Sequence, residues 1–316
     1  GATRITPSNV AEGNPAALAG IERPSAGVSW QYGSTIRDAW AAGIDYEVPT
    51  GLRPHSAGAV YPHGRWRFGV GYAQRRKGRF VTDEMEVRTP VQREGTRETF
   101  QVHVMTRIEA VEPLLAWTGG TDRHRWSVAG RAGLTRLSRG DEQTMLYGRG
   151  WAVGARYKQR GGLFRRTQVG LFYQGHSQLE GHTQLADETW DATFTTPARL
   201  GMGASARVTS WLSGRIGGQY LFREESDNQL ALSAAALWHA TDALTTSISV
   251  HRTGRSDYMD LSPVLDDDPM TARFLAAGFA YRVGVVRLDL AVSDSRLLSS
   301  PKNRQTLVKA GASVAL

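Results

Sequence analysis

Ten basic side chains sit on strand-like stretches in which every second residue is apolar: Arg107, Arg131, Arg156, Arg199, Arg207, Arg215, Arg223, Arg282, Arg287 and Lys309. A guanidinium offers a planar fork of donors that grips a carboxylate or phosphate through two parallel hydrogen bonds. Gathered on one face, these cations admit two readings. They can receive an anionic group, or they can form a structural ladder that pairs with Glu109, Asp289 and backbone carbonyls while filling space. Both stay open at this point.

Other chemistry has weaker support. His176-Ser177, and Ser249 with His251, supply the residue types of a hydrolytic site, which needs a serine activated by an oriented histidine. Neighbours in an extended strand point to opposite faces, so His176 and Ser177 cannot meet, and no catalytic residue is assigned. Three acid-rich stretches, Asp83-Glu84 with Glu86, Asp187-Glu188 with Asp191, and Asp266-Asp267-Asp268, lack the spacing of a calcium loop and read as solvated charge. With no cysteine and no H-x-x-x-H pair, neither a metal nor another cofactor is expected. The balance of 38 Lys+Arg against 30 Asp+Glu is spread one or two per stretch, so nucleic acid is rejected as a partner.

The elements that must carry these side chains are strands. Trp66, Phe68, Val70 and Tyr72 alternate with Arg65, Arg67, Gly69 and Gly71. Leu212, Ile216, Tyr220 and Phe222 oppose Ser213, Arg215, Gln219 and Arg223, and Val286, Leu288, Leu290 and Val292 oppose Arg287, Asp289, Ala291 and Ser293. Tight breaks at Pro62-His63-Gly64, Gly119–Asp122, Gly161-Gly162, Thr209-Ser210, Thr241-Asp242 and Gly284 alternate with longer polar connections near 38–51, 81–96, 140–147, 182–196, 224–228, 254–271 and 299–304. Short turns at one rim and long loops at the other are the pattern of a transmembrane β-barrel. The reading is all-β: about fourteen antiparallel strands over 24–316, at roughly 24–37, 52–61, 65–80, 97–118, 124–139, 148–160, 164–181, 197–208, 211–223, 229–240, 243–253, 271–283, 285–298 and 305–316, preceded by a separate segment 1–23.

A sandwich or propeller also alternates. Aromatics at strand ends (Trp30, Tyr32, Trp66, Tyr72, Trp126, Trp151, Tyr157, Trp211, Trp238, Tyr281) favour two interfacial girdles around a membrane barrel instead. The negative mean hydropathy does not oppose this, because alternation cancels in the average. No window approaches 18 consecutive apolar residues, so no spanning helix is expected. If the ring-bearing phase faces lipid, the ten cations face the lumen, since one on the lipid face costs about 2–4 kcal/mol near the midplane.

Two stretches carry a family likeness. Asn9-Val10-Ala11-Glu12-Gly13-Asn14-Pro15-Ala16-Ala17-Leu18 precedes Arg23-Pro24-Ser25, and Thr196-Pro197-Ala198-Arg199-Leu200-Gly201 runs into Trp211-Leu212-Ser213. They resemble the N-P-A and T-P-A-x-L-G segments of the FadL/TodX-like long-chain fatty-acid transporters, outer-membrane barrels of fourteen strands. The resemblance implies a short N-terminal hatch inside the lumen, including Asn9, Asn14, Pro15, Ala16 and Leu18. It further implies passive, porin-like uptake of hydrophobic compounds such as fatty acids, with lateral release into the membrane. Implied partners are membrane lipid, lipopolysaccharide at the acidic rim, and a hydrophobic or amphiphilic small molecule. The chain is then an integral barrel of the bacterial outer membrane whose signal peptide has been removed, and not an enzyme. The connections Gly140–Tyr147 and His182–Thr196 read as shorter and more polar than the family's ligand-collecting insertions. That leaves a rival function: a PorV-like barrel serving as subunit or anchor of a surface or secretion complex, with protein partners and no transport.

Overall fold

Alternating β-branched and aromatic residues with glycine turns build one antiparallel sheet that closes on itself. The computed structural model describes residues 6–36, 44–47, 52–82, 85–88, 97–100, 103–139, 144–162, 164–185, 188–222, 228–253, 272–298 and 304–316. In chain order the wall consists of β1 (Ser25–Ile36), β2 (Ile44–Glu47 and Arg53–His63), β3 (Trp66–Thr82), β4 (His103–Gly120) and β5 (His124–Arg139). Next come β6 (Thr144–Arg160), β7 (Arg166–Gln174 and Ser177–Leu185), β8 (Glu188–Thr196 and Ala198–Arg207), β9 (Leu212–Phe222) and β10 (Gln229–His239). It ends with β11 (Leu244–Thr253), β12 (Ala272–Val283), β13 (Val286–Asp294) and β14 (Arg304–Ala315). Each strand pairs with the next, and β14 returns to β1 from Ser25↔Ala315 to Ile36↔Arg304, which makes a closed barrel of fourteen strands. Closure matters because hydrocarbon supplies no partner for an unpaired edge. A two-stranded hairpin, Met85–Arg88 with Arg97–Phe100, rises from the β3–β4 connection.

The outward phase is apolar. Val128, Val153, Leu171, Ile216, Leu232, Ile248 and Leu288 all lie exposed on the outer surface. Rings gather at the short-turn rim, where Trp66 stands opposite Trp117, Trp126 opposite Tyr157, and Leu244 opposite Tyr281. The Trp117 and Trp126 rings are 4.5 Å apart between centroids. This is an interfacial girdle. At the same rim, Gly64 and Gly284 close two-residue turns with φ of +54° and +58°, a left-handed backbone that side chains disfavour.

Two expectations are corrected. The stretch 182–196 is not a polar loop: β7 continues to Leu185 and β8 begins at Glu188, paired from Leu185↔Glu188 to Ser177↔Thr196. Thr189, Trp190, Thr193 and Phe194 are strong strand formers, and that preference outweighs the polarity of their neighbours. Likewise β6 starts at Thr144, inside the expected 140–147 connection. A glycine-rich stretch such as Gly69–Gly71 can mark a bend in a strand, but this pair keeps regular pairing with β4, and the register shift in β3 lies beyond it, between Gln74 and Arg76. The acidic residues Asp83, Glu84, Asp187 and Asp266–Asp268 lie outside the described residues.

The phase assignment is testable in one substitution. Val153→Arg, on the outer face of β6, is expected to destabilise the barrel by about 2–4 kcal/mol in reversible unfolding from lipid vesicles. The same change at Ala152, one residue away on the inner face, tests crowding rather than lipid exposure and should give a different loss.

Candidate functional site

Residues 6–21 cross the lumen as two short turns of 3-10 helix, Pro7–Asn9 and Pro15–Gly20. Local sequence explains both starts. The Asn9 carboxamide oxygen accepts the Thr6 backbone N–H at 2.7 Å. Asn14 caps the second turn, its Oδ1 accepting the Ala16 N–H at 2.9 Å, with Pro15 in the first helical position, where no N–H is needed. The spare Asn14 Nδ2 donates to the Ala155 carbonyl of β6 at 2.9 Å, tying the segment to the wall. Asn14, Ala16 and Leu18 are completely buried.

A segment this irregular cannot satisfy its own carbonyls, and buried unpaired carbonyls are costly. The wall supplies the donors. Ser127 Oγ donates to the Ala16 carbonyl at 3.1 Å, Arg131 Nη1 to Gly13 at 2.9 Å, Arg156 Nη1 to Ala17 at 3.4 Å and Arg67 Nε to Ile21 at 2.8 Å. Ser56 Oγ reaches the Ser8 carbonyl from β2. On the apolar side, Val10, Ala17, Leu18 and Ile21 pack with Val60, Leu114 and Ala116 of β2 and β4. Close approach needs missing side chains: a Cβ on Gly58 would come within 2.9 Å of the Pro7 carbonyl and of Val10, and one on Gly154 would strike the Asn14 carboxamide.

Charge at the site is arranged in two groups. Glu112 of β4, only 1% exposed, lies between two guanidiniums: Arg131 Nε is 3.2 Å from its Oε2, and Arg75 from the β3 register shift contacts its Oε1. Arg131 also donates to Gln174 Oε1 at 3.2 Å. The second group joins segment to wall, with His55 Nε2 2.6 Å from Glu12 Oε1 and 2.8 Å from Lys309 Nζ. Burial alone would raise the Glu12 carboxyl, but Lys309 and His55 outweigh it and hold that group well below the usual carboxylate range.

The ten predicted cations therefore divide. Arg131 and Arg156 hold the segment. Lys309 belongs to the Glu12–His55 group. Arg287 is taken by Asp289, with Nε at 3.0 Å from both carboxylate oxygens and Nη2 at 2.6 Å from Oδ1. Arg207 donates to the Ser210 carbonyl of its own turn. Arg199, Arg215 and Arg282 share the lumen phase of their strands. Arg107 is corrected: it shares the phase of the exposed Val111 and Leu115, whereas Ile108, Ala110 and Glu112 face inward. Glu109 is outward too and accepts a hydrogen bond from the Tyr72 hydroxyl at 2.7 Å, so it is no lumen partner. Arg223 lies outside the described residues. Sequence reasoning missed Glu12, His55, Arg67, Arg75 and Glu112. Of these, Glu112 carried a signal, a lone carboxylate inside the apolar run Ala110–Trp117. Among the described residues no three His, Asp or Glu side chains gather as metal ligands.

At the level of sequence, no family model and no curated protein matches the chain. Solved structures do. The Ralstonia pickettii toluene transporter TbuX is 16% identical with a TM-score of 0.68, covering 100% of this chain and 95% of that one. The Pseudomonas putida toluene transporter TodX is 13% identical at 0.65, covering 100% and 96%. A Pseudomonas aeruginosa FadL homologue is 12% identical at 0.61, covering 99% and 95%. The chain has the FadL/TodX-type barrel fold.

Glu112→Ala, which leaves Arg75 and Arg131 facing each other without their anion, is expected to cost about 3–5 kcal/mol in urea unfolding. Asp289→Asn removes a more exposed pair and should cost about 1 kcal/mol or less. For Glu12 the pH sign follows from its lowered value: its contribution to docking is complete above the unfolded carboxylate pKa of about 4.3 and fades as pH falls below it. Protease protection of residues 6–21 should hold from about pH 8 to pH 5 and weaken below about pH 4, and Glu12→Gln should weaken it at every pH.

Proposed function

We propose that the chain is a bacterial outer-membrane channel for passive uptake of hydrophobic compounds, with residues 6–21 as its hatch. The observation that carries this reading is the apolar contact between the segment and the inner wall. Val10, Ala17, Leu18 and Ile21 of the segment meet Val60, Leu114 and Ala116, where an apolar guest can take the segment's place. A polar pore has no use for such a surface. Support comes from the neighbours, which include toluene transporters and a monoaromatic hydrocarbon channel. Compounds of that kind, or fatty acids, are the substrate class.

Release is lateral in this proposal. An acyl chain gains about 0.8 kcal/mol for each CH2 that leaves water, so passage into lipid is downhill and passage into an aqueous space is not. The wall beside the segment suits such an exit. Gly27, Gly58 and Gly71 face the segment, and on the lipid side Ala26, Val28, Ala57, Ala59, Val70 and Ala312 line a shallow apolar concavity of about 630 Å³. The β3 register shift at Gln74/Arg76 lies at one end of this panel.

Deleting residues 1–20 is expected to raise conductance in planar bilayers and to abolish selective uptake of toluene or oleate by cells carrying the barrel as their sole channel of this kind. Unchanged conductance would mean the segment does not close the lumen. Wild-type protein that moves neither compound, and that instead co-purifies with one surface protein in stoichiometric amount, would favour the anchoring role over transport.

A further inference from the structure

The short-turn mouth of the lumen carries a concentration of positive charge that the hatch does not use. Arg160 of β6, Arg166 of β7 and Arg207 of β8 stand directly opposite one another across three adjacent strands. In the next row up, Arg125 of β5 stands directly opposite Lys158 of β6. All five share the lumen phase: Arg160 and Lys158 alternate with the outward Tyr157, Arg166 with Val169, Arg207 with Met202, and Arg125 with Trp126. Side chains directly opposite in an antiparallel pair have Cβ atoms only about 5 Å apart, and like charges there destabilise the sheet.

Anions nearby are few. Glu22 and Asp122 approach Arg125 at 3.5 and 3.3 Å, and both carboxylates are largely exposed. Among the described residues none forms an ion pair with Lys158, Arg160, Arg166 or Arg207. The Nε atoms of Arg166 and Arg207 are buried with no hydrogen-bond partner, and Lys158 is 9% exposed. The buried cations at the hatch have strong acceptors: Arg131 has Glu112 and Gln174, Arg156 has Ala17 and Gln168. At the mouth Arg207 donates only to the Ser210 carbonyl of its own turn. Three forks stand side by side, two of them with a buried Nε idle, and no carboxylate among the described residues pairs with them.

We propose that this mouth binds a phosphate group of two or more charges, gripped by Arg160, Arg166 and Arg207 with Lys158 behind them. A single carboxylate is satisfied by one guanidinium. A tetrahedral dianion has the oxygens and the charge to engage three, and arginine is the side chain matched to it. The phosphate can belong to a free solute or to the headgroup of a lipid in the leaflet at that rim; the chemistry is shared. The proposal stands apart from the transport reading, because it needs no conduction through the lumen.

The test uses the full chain in nonionic detergent and chloride buffer. Calorimetric titration with pyrophosphate is expected to show binding that weakens as chloride rises. The triple variant Arg160→Gln/Arg166→Gln/Arg207→Gln should lose at least about tenfold in affinity, which is about 1.4 kcal/mol. Arg139→Gln at the opposite rim should change nothing. Heat-modifiable mobility on gels verifies that each variant is folded, and the triple Lys variant, which keeps the charge, should retain part of the binding. If pyrophosphate does not bind but phosphatidic acid is retained by wild type and released by the triple Gln variant in native mass spectrometry, the phosphate is a lipid's. Absence of both, or equal binding by wild type and the triple Gln variant, overturns the proposal. A refolded variant is also expected to melt higher than wild type in phosphate-free buffer, since repulsion has been removed; a lower melting point would mean the arginines serve the fold alone.

Discussion

Hydrocarbon offers no hydrogen-bond partner and no place for a charge, and most of this structure follows from that. The sheet closes because an open edge is intolerable in lipid. The outer phase is apolar, so nearly every charged or polar side chain of the spanning strands turns inward. A lumen furnished this way has a large surplus of donors, with guanidiniums and hydroxyls on strand after strand. The N-terminal segment answers it. Its irregular backbone leaves carbonyls unpaired, and Ser56, Arg67, Ser127, Arg131 and Arg156 aim donors at them. Wall and segment complete each other's hydrogen bonding, which neither could do alone in a dry interior.

The complementarity is one-sided. The segment packs against β1 to β7 and β14, and there the inward side chains are buried: Ser29, Ser56, Arg67, Glu112, Ser127, Arg131, Phe172 and Gln174 among them. Along β9 to β13 many inward positions are small, including Ser213, Gly217, Ser233, Ala235, Ser247, Ser249 and Ala276, and among the described ones only Leu221 and Phe274 are buried. Packing is thus closest on the side that holds the segment, and fewer inward side chains are buried on the other. A hatch held on one side by caps, five carbonyl contacts and an apolar patch can yield in part without the wall giving way. In the proposed channel, a guest would then compete with a few contacts rather than with the whole interior.

Much of the architecture is readable in the residues. Alternation over Trp66–Ala73 or Val286–Val292 marks strand and phase together, and glycine at 64 and 284 marks the tight rim. Reading weakens where polarity on both faces hides the period, as in 182–196, where only the strand preference of Thr, Trp and Phe remains as a signal. Phase also fails where both faces are apolar. Arg107 follows the outward side of β4 with Val111 and Leu115, while Ile108, Ala110, Leu114 and Ala116 on the inner side are as apolar, so alternation carries no phase signal there. The hatch was legible through Asn14-Pro15-Ala16, whose cap chemistry is local. Its anchors were not, because Arg67 and Ser127 meet it only through contacts more than forty residues distant along the chain.

Orientation of the side chains is the claim on which the rest stands, and the cysteine-free chain makes it directly measurable. Single cysteines placed on β6, β9, β10, β11 and β13 can carry a fluorophore in reconstituted vesicles. Probes at Val153, Ile216 and Leu288 should be quenched by brominated lipid and ignore aqueous iodide, and probes at Ala235, Ser249 and Ala291 should do the reverse. Quenching by lipid at both sets, or by iodide at the first, would contradict an apolar exterior around a polar bore.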